Sequence, residues 1–337
     1  MGLLIFDKPF KTYDEQIDIL SNKYGLEIKN RKFAVTAIQS LTYYDLINGY
    51  KEIFMKDDRF LPDTSIEYIY SLYIIDKHIQ SLLFEYSTIV ENAFKSKLAY
   101  VIAENFGVCE HDYLDPENYF KSNNKIYFSN VQEACFNIFG GKNPIPQPTK
   151  HYCTHHNHIP PWILFKNLSF SKSINLFQLL KPNEKYQLVK LLVPSNKVSY
   201  TDSVTFIINS LNIIRSYRNK IAHNLKFLTY KSPTNSISPK TITKLIPKTL
   251  ITWKDINKNH RGVNDIYAYM LCLLYLLQDP FLRSLFAGNL LNAFSGIEKT
   301  NNQKFHKAFS AYYQITNVPE NFPVRLRSYL PPTFPKV

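Results

Sequence analysis

The sequence predicts an all-α protein, on three observations. Apolar residues recur at three- and four-residue spacing through most of the chain, and little of it alternates with period two. Helix-start residues precede several of these runs. Glycine is scarce, at 9 of 337 residues, so Gly-rich phosphate loops are not expected, and neither GxxxxGK[ST] nor GxGxxG occurs.

Each element follows from its own residues. Thr12 and Glu15 read as a capping box opening a helix over 12–24. Phe33, Ala37, Ile38, Leu41 and Tyr44 place a second helical stripe in 31–48. A polar insert, FMKDDRFLPDTS, ends in a cap at Thr64 or Ser65. From Ile66 to about Ile102 one broad apolar stripe runs through Leu72, Leu83, Val90 and Leu98. That length predicts a bent helix or two in series. Residues 105–161 have few periodic runs and collect Gly and Pro toward GGKNPIPQPTKHYCTHHNHIPPW, which predicts a loop-rich insertion or the rim of a site. Short helices are expected at 169–181 and 183–193, and a second major helix at 199–229, capped near Ser199, Thr201 or Asp202. Residues 231–261 form a basic break, 263–287 an apolar helix, and the Pro-rich tail VPENFPVRLRSYLPPTFPKV an extended end. The expected segments are therefore 1–104, 105–161, 162–230 and 231–337, joined in one composite helical domain.

Composition bounds the function. Hydrophobic residues make up 45% and mean hydropathy is −0.23, as in a soluble globular chain. The longest apolar run, IYAYMLCLLYLL at 266–277, is the length of a buried core helix, not of a membrane span. The opening MGLLIFDKPFK is too short for a signal peptide. Four cysteines without a CxxC read as reduced thiols in a cytoplasmic protein. A net charge of +13 favours a polyanionic partner, most often nucleic acid, over a mere compositional bias toward lysine.

The densest cluster of chemistry is RSYRNKIAHN at 215–224, flanked by apolar runs. At 100° per residue, Arg215, Asn219 and His223 fall at about 0°, 40° and 80°, and Arg218 at about −60°. Arg218 and His223 are then about 140° apart on a straight helix, and a two-fold partner would bring the two types into one cleft. RNA carries its own nucleophile, the 2′-OH. A His suits proton transfer near neutral pH, and an Arg offers a fixed charge and a planar donor fork to phosphate. Asn219 can orient the scissile phosphate or the His. The plain alternative is a solvated helix face.

Several segments, in order, resemble the Abi family of AbiD/AbiF type: KPFKTYDEQIDIL, LTYYDLINGY, the long helix around Glu91, PPWILFKNLSFSKSINLF, and IRSYRNKIAHN with its RN-x-x-AH signature. ITNVPENF resembles the closing turn more loosely, and the resemblance runs from about residue 8 to 323. It implies a HEPN-like helical bundle whose R-x4-6-H motif is a ribonuclease centre. Arg218, Asn219 and His223 match that motif. It also implies a homodimer with two motifs facing one cleft, and a role in phage defence or toxin–antitoxin action, with an RNA or protein antitoxin. The family often continues AHH-x-R-L-W-N. This chain reads AHNLKFLT, with Asn224, Lys226 and Thr229 at the departures.

Other clusters are weighed beside the motif. HYCTHHNH at 151–158, with Cys109 and His111, offers zinc-type ligands at no standard spacing. No metal or other cofactor is expected, and His155 and His156 are candidates for phosphate contact instead. Glu91 and Lys95 read either as a helix ion pair or as the support that orients Arg218 or Arg215. Residues 231–261 hold seven Lys/Arg against one Asp. Lys220, Lys226, Lys231, Lys240 and Lys244 are accordingly candidates for RNA-backbone contact. The expectation is a metal-independent endoribonuclease: catalytic Arg218, Asn219 and His223, with Arg215, Glu91 and Lys95 in support. The alternative is a non-catalytic RNA-binding protein using the same basic face.

Overall fold

A computed structural model describes residues 8–295 and 303–331. The protein is all-α, built around one helix, Ile66–Phe106. Ser65 caps its first turn by accepting from the Tyr68 amide, and Gly107, at φ 83°, ends it. Of the two expectations, a bent helix or two in series, the second does not hold: the helix is continuous over 41 residues. Isolated propensity would not sustain that length; packing does. Helices Pro161–Asn167, Pro182–Leu192, Tyr200–Ala222, Ile266–Leu276, Pro280–Ser295 and Gln303–Thr316 all lie against it.

The buried stripe of this axial helix is not wholly apolar. Asp76, Gln80, Ser87, Glu91 and Lys95 are buried among Ile79, Leu83, Val90 and Phe94. Polar groups held at core positions need partners: Asp76 meets Tyr50 and Gln80, Ser87 meets Tyr269, and Glu91 meets Lys95 and Arg218.

Several boundaries differ from expectation for identifiable reasons. The capping box of Thr12 and Glu15 forms, and helix Tyr13–Asp18 widens into a π-helical turn at Ile19–Lys23. The apolar segment 263–287 is two helices, Ile266–Leu276 and Pro280–Ser295. Pro280 starts the second, where its missing N–H costs nothing, and Asp279 Oδ1 accepts from the Leu282 amide. The described part of the tail is not extended: Phe322–Tyr329 is a helix with Pro323 in its first turn, and 332–337 lie outside the described residues. It is docked by Arg325, which bonds Asp255 Oδ2 at 2.6 Å and the Leu250 carbonyl at 2.9 Å. Within 105–161 lie the helices Phe128–Phe139 and Thr149–His155. Two short hairpins, Met55–Lys56 with Arg59–Phe60 and Ser122–Asn123 with Ile126–Tyr127, turn through residue pairs with positive φ: Asp57 and Asp58, Asn124 and Lys125. That is the geometry that fits the twist of a two-residue hairpin. Among the described residues no helix is long and apolar enough to cross a membrane.

Candidate active site

The helix Tyr200–Ala222 carries the motif. Ser199 caps it, accepting from the Asp202 amide. Phe206, Ile207, Leu211, Ile214 and Tyr217 are its buried face. Tyr217 lies flat on Tyr269 of helix Ile266–Leu276, with ring centroids 4.8 Å apart and planes 8° off parallel. Its hydroxyl donates to the Tyr230 carbonyl at 2.6 Å. Tyr269 in turn shares a short hydrogen bond with Ser87 of the axial helix. This column fixes the roll of the motif helix just before Arg218.

The helix stops at Ala222, seven residues short of the expected 229. The Leu225 amide bonds the Lys220 carbonyl at 2.8 Å and the Asn224 amide bonds the Ile221 carbonyl at 3.1 Å. These two bonds form a Schellman motif, which requires a left-handed residue after the cap. Asn224, at φ 50°, is that residue. The departure from the family's second His thus falls at a position where Asn is among the few side chains that tolerate the backbone. His223 is the cap itself, at φ −100° and ψ 12°. Its N–H still bonds the Asn219 carbonyl at 3.1 Å, while its φ and ψ have left the helical range.

Arg218 reaches the axial helix. Its Nη2 is 3.7 Å from Glu91 Oε2, its Nη1 donates to Asn219 Oδ1 at 3.2 Å, and its guanidinium carbon sits 5.8 Å from the Phe84 ring centre. Glu91 Oε1 also holds Lys95 Nζ at 2.7 Å. The two readings of Glu91 are therefore compatible: it makes the helix ion pair and it faces Arg218. The Arg218 side chain is one-third exposed, while its Nε is buried without a hydrogen-bond partner among the described residues. Arg215, one turn earlier, is half-buried and forms no ion pair among the described residues, and its Nε is likewise unpartnered. His223 is exposed.

The remaining candidates are more scattered. Lys220 Nζ lies 4.6 Å from the centre of the Tyr230 ring. Lys226 is paired with Glu52. Lys231, Lys240 and Lys244 are exposed, the last two on helix Pro239–Leu245, which packs on the motif helix. His155 and His156 are exposed on Thr149–His155 and its cap, a helix that packs on Phe128–Phe139 and Pro161–Asn167. The bonds of His155 are local, to Thr154 and the His151 carbonyl. Among the described residues no three His, Cys, Asp or Glu side chains converge as a metal site. Burial pushes the Cys135 and Cys272 thiols up to about 12, and all four cysteines are free.

Sequence reasoning passed over Asp76 and Lys77. Asp76, Tyr50 and Gln80 form a buried cluster: the Tyr50 hydroxyl donates to Asp76 Oδ2 at 2.8 Å and Gln80 Nε2 donates to the same oxygen at 2.7 Å. Lys77 Nζ donates to Gln80 Oε1 at 3.1 Å and to Asn224 Oδ1, linking the axial helix to the residue after His223. The available signal was Asp76 and Gln80 at i and i+4 inside an otherwise apolar stripe.

An all-helical protein with a held arginine one turn before an exposed, helix-ending histidine is the class that fold and site define. The Abi-like protein family model matches residues 36–229, more than half of the chain, and the protein belongs to that family. The matched range holds the axial helix and the motif; KPFKTYDEQIDIL and ITNVPENF lie outside it. No curated protein and no solved structure shows significant similarity to the chain.

Proposed function

We propose that the protein is a metal-independent endoribonuclease of HEPN type, acting in abortive infection or as the toxin of a toxin–antitoxin pair. Its family name points to abortive infection. The observation that supports the nuclease reading is a held cation followed, five residues on, by an exposed histidine at the helix end. Arg218 is fixed by Glu91, Asn219 and Phe84, and His223 sits on the first non-helical residue five positions on.

The chemistry runs on the RNA's own nucleophile. His223 takes the 2′-OH proton, the 2′-oxygen attacks phosphorus, and the bond to the 5′-oxygen breaks. The leaving oxygen takes a proton from the His223 of a second copy in a homodimer, or from water. Arg218 neutralises charge growing on the phosphoryl oxygens. Asn219 accepts from Arg218 through its carbonyl and keeps its amide N–H groups for the phosphate. Arg215 is a second phosphate contact, and Lys220, Lys231, Lys240 and Lys244 extend the basic path. Glu91 is a positioning residue, with Lys95 balancing its second oxygen.

The test is RNA cleavage in EDTA with wild type, Arg218→Ala and His223→Ala. Wild type is expected to leave 2′,3′-cyclic phosphate and 5′-hydroxyl ends, and each variant to be slower by about 100-fold or more. Loss of wild-type activity in EDTA would remove the metal-free mechanism. Intact RNA bound by all three in a salt-sensitive way would leave the second reading, a non-catalytic RNA-binding protein.

A further inference from the structure

A cleft of about 170 Å³ opens beside the end of the motif helix, between residues 44–52, the axial helix and residues 224–228. That is several times the ~30 Å³ of one water, enough for a flat ring. It is contiguous with His223 through Asn224 and Leu225, which form part of its wall. Tyr44, 72% exposed, stands at its edge, and Tyr73 lines it further in. Asp76, 2% exposed, is at its floor.

The charge of the cleft argues about its occupant. Asp45, Glu52 and Asp76 line it, so it repels phosphate; Lys77 and Lys226 line it too, so a free cation gains little there. The floor asks for hydrogen-bond donors. Ionised, as it is above about pH 7, the Asp76 carboxylate has about four acceptor sites. Asp76 Oδ2 already accepts from Tyr50 and Gln80, while Oδ1 is buried with no partner among the described residues. Two acceptor sites on one oxygen are left over. Guanine is the RNA base whose Watson–Crick edge offers two adjacent N–H donors, and tyrosine faces suit base stacking.

We propose that this cleft is a nucleobase pocket for a nucleotide neighbouring the scissile phosphate, with Asp76 reading the N–H edge of a guanine and Tyr44 stacking on the ring. Lys77, bridging Gln80 and Asn224, lines the same cleft. The inference rests on the reading of the protein as an RNA-cleaving or RNA-binding protein, and it adds base preference to that reading.

The experiment measures binding, at about pH 8 where Asp76 is ionised, of 2′-O-methyl trinucleotides carrying one guanine, inosine or adenine among uridines. These probes lack the attacking hydroxyl, so binding is read without cleavage. Wild type and His223→Ala are expected to favour the guanine probes by about tenfold or more over inosine, which lacks the 2-amino donor. Asp76→Asn removes that preference. Tyr44→Ala, an exposed change that leaves the core intact, weakens every probe severalfold. Equal binding of all probes, or a guanine preference that survives both substitutions, overturns the proposal. So does saturation of the cleft by arginine amide with no nucleotide binding, which would mark a site for a basic peptide. A guanine preference without RNA cleavage by wild type would retain the pocket and reject the nuclease, so the two readings fail separately.

Discussion

Two buried carboxylates on one helix are treated in opposite ways. Glu91 and Asp76 sit fifteen residues apart on the axial helix, about 22 Å at 1.5 Å per residue. Glu91 is closed between two cations, Lys95 and Arg218. Asp76 has two neutral donors on one oxygen and none on the other. Burial pushes its carboxyl up to about 7, against which the Tyr50 and Gln80 hydrogen bonds and the charge of Lys77 act only in part. The motif helix and the turn that follows it run antiparallel to the axial helix, since Arg218 meets Glu91 and Asn224 meets Lys77. The first carboxylate spends its charge on holding a catalytic candidate. The second keeps acceptor capacity in reserve at a cleft.

The comparison breaks first at Glu91. Glu91→Ala leaves Lys95 buried and Arg218 without its acidic neighbour, and is expected to cost about 3–5 kcal/mol in urea unfolding. A loss below about 1 kcal/mol would mean that the triad is solvated in solution.

Asp76 is expected to show itself through pH. The folded chain holds a proton between pH 4 and 7 that the unfolded chain, with its carboxyl near 3.8, has released. Stability therefore falls as pH rises through that window and levels off above 7. At about 1.4 kcal/mol per unit the total is at most about 4 kcal/mol. Unfolding of wild type and Asp76→Asn from pH 4 to 8 checks this, the variant losing that part of the slope. Parallel curves would show that Asp76 is ionised throughout.

Arg218→Ala sharpens the contrast at smaller scale. Glu91 keeps Lys95, and the Arg218 side chain is one-third exposed, so a stability loss near 1 kcal/mol is expected beside the large loss of cleavage. Large unfolding with Arg218→Ala would make the residue structural. The smallest effect is that of Asn224→Gly at the cap. Asn224→Gly keeps the left-handed turn and should shift stability by well under 1 kcal/mol, whereas Asn224→Val should cost about 1–2 kcal/mol through backbone strain. Equal effects in melting experiments would mean that the Schellman turn is not what positions His223.

Much of the helical plan was legible because it is local. The Thr12–Glu15 box, the Ser65 and Ser199 caps and the stripe from Ile66 to Ile102 each depend on residues within a turn of one another. The breaks were read less well. Pro280 was hidden inside an apolar run, and the prolines of the tail suggested an extended end although Pro323 starts a helix. A proline stops one helix or starts the next, and packing decides which. The motif residues were legible by type and spacing, but the release of His223 was not, since it depends on where the helix ends.

The sequence by itself determined an all-α chain, its main helices, its basic charge and the Arg-Asn-His motif, because periodicity, capping and composition act over short separations. Only the tertiary structure decided that Glu91 meets Arg218 across 127 positions of chain and that Asp76 is left half-satisfied beside a cleft. Buried charge is governed by what the fold brings within a few ångströms, and no spacing along the chain records that.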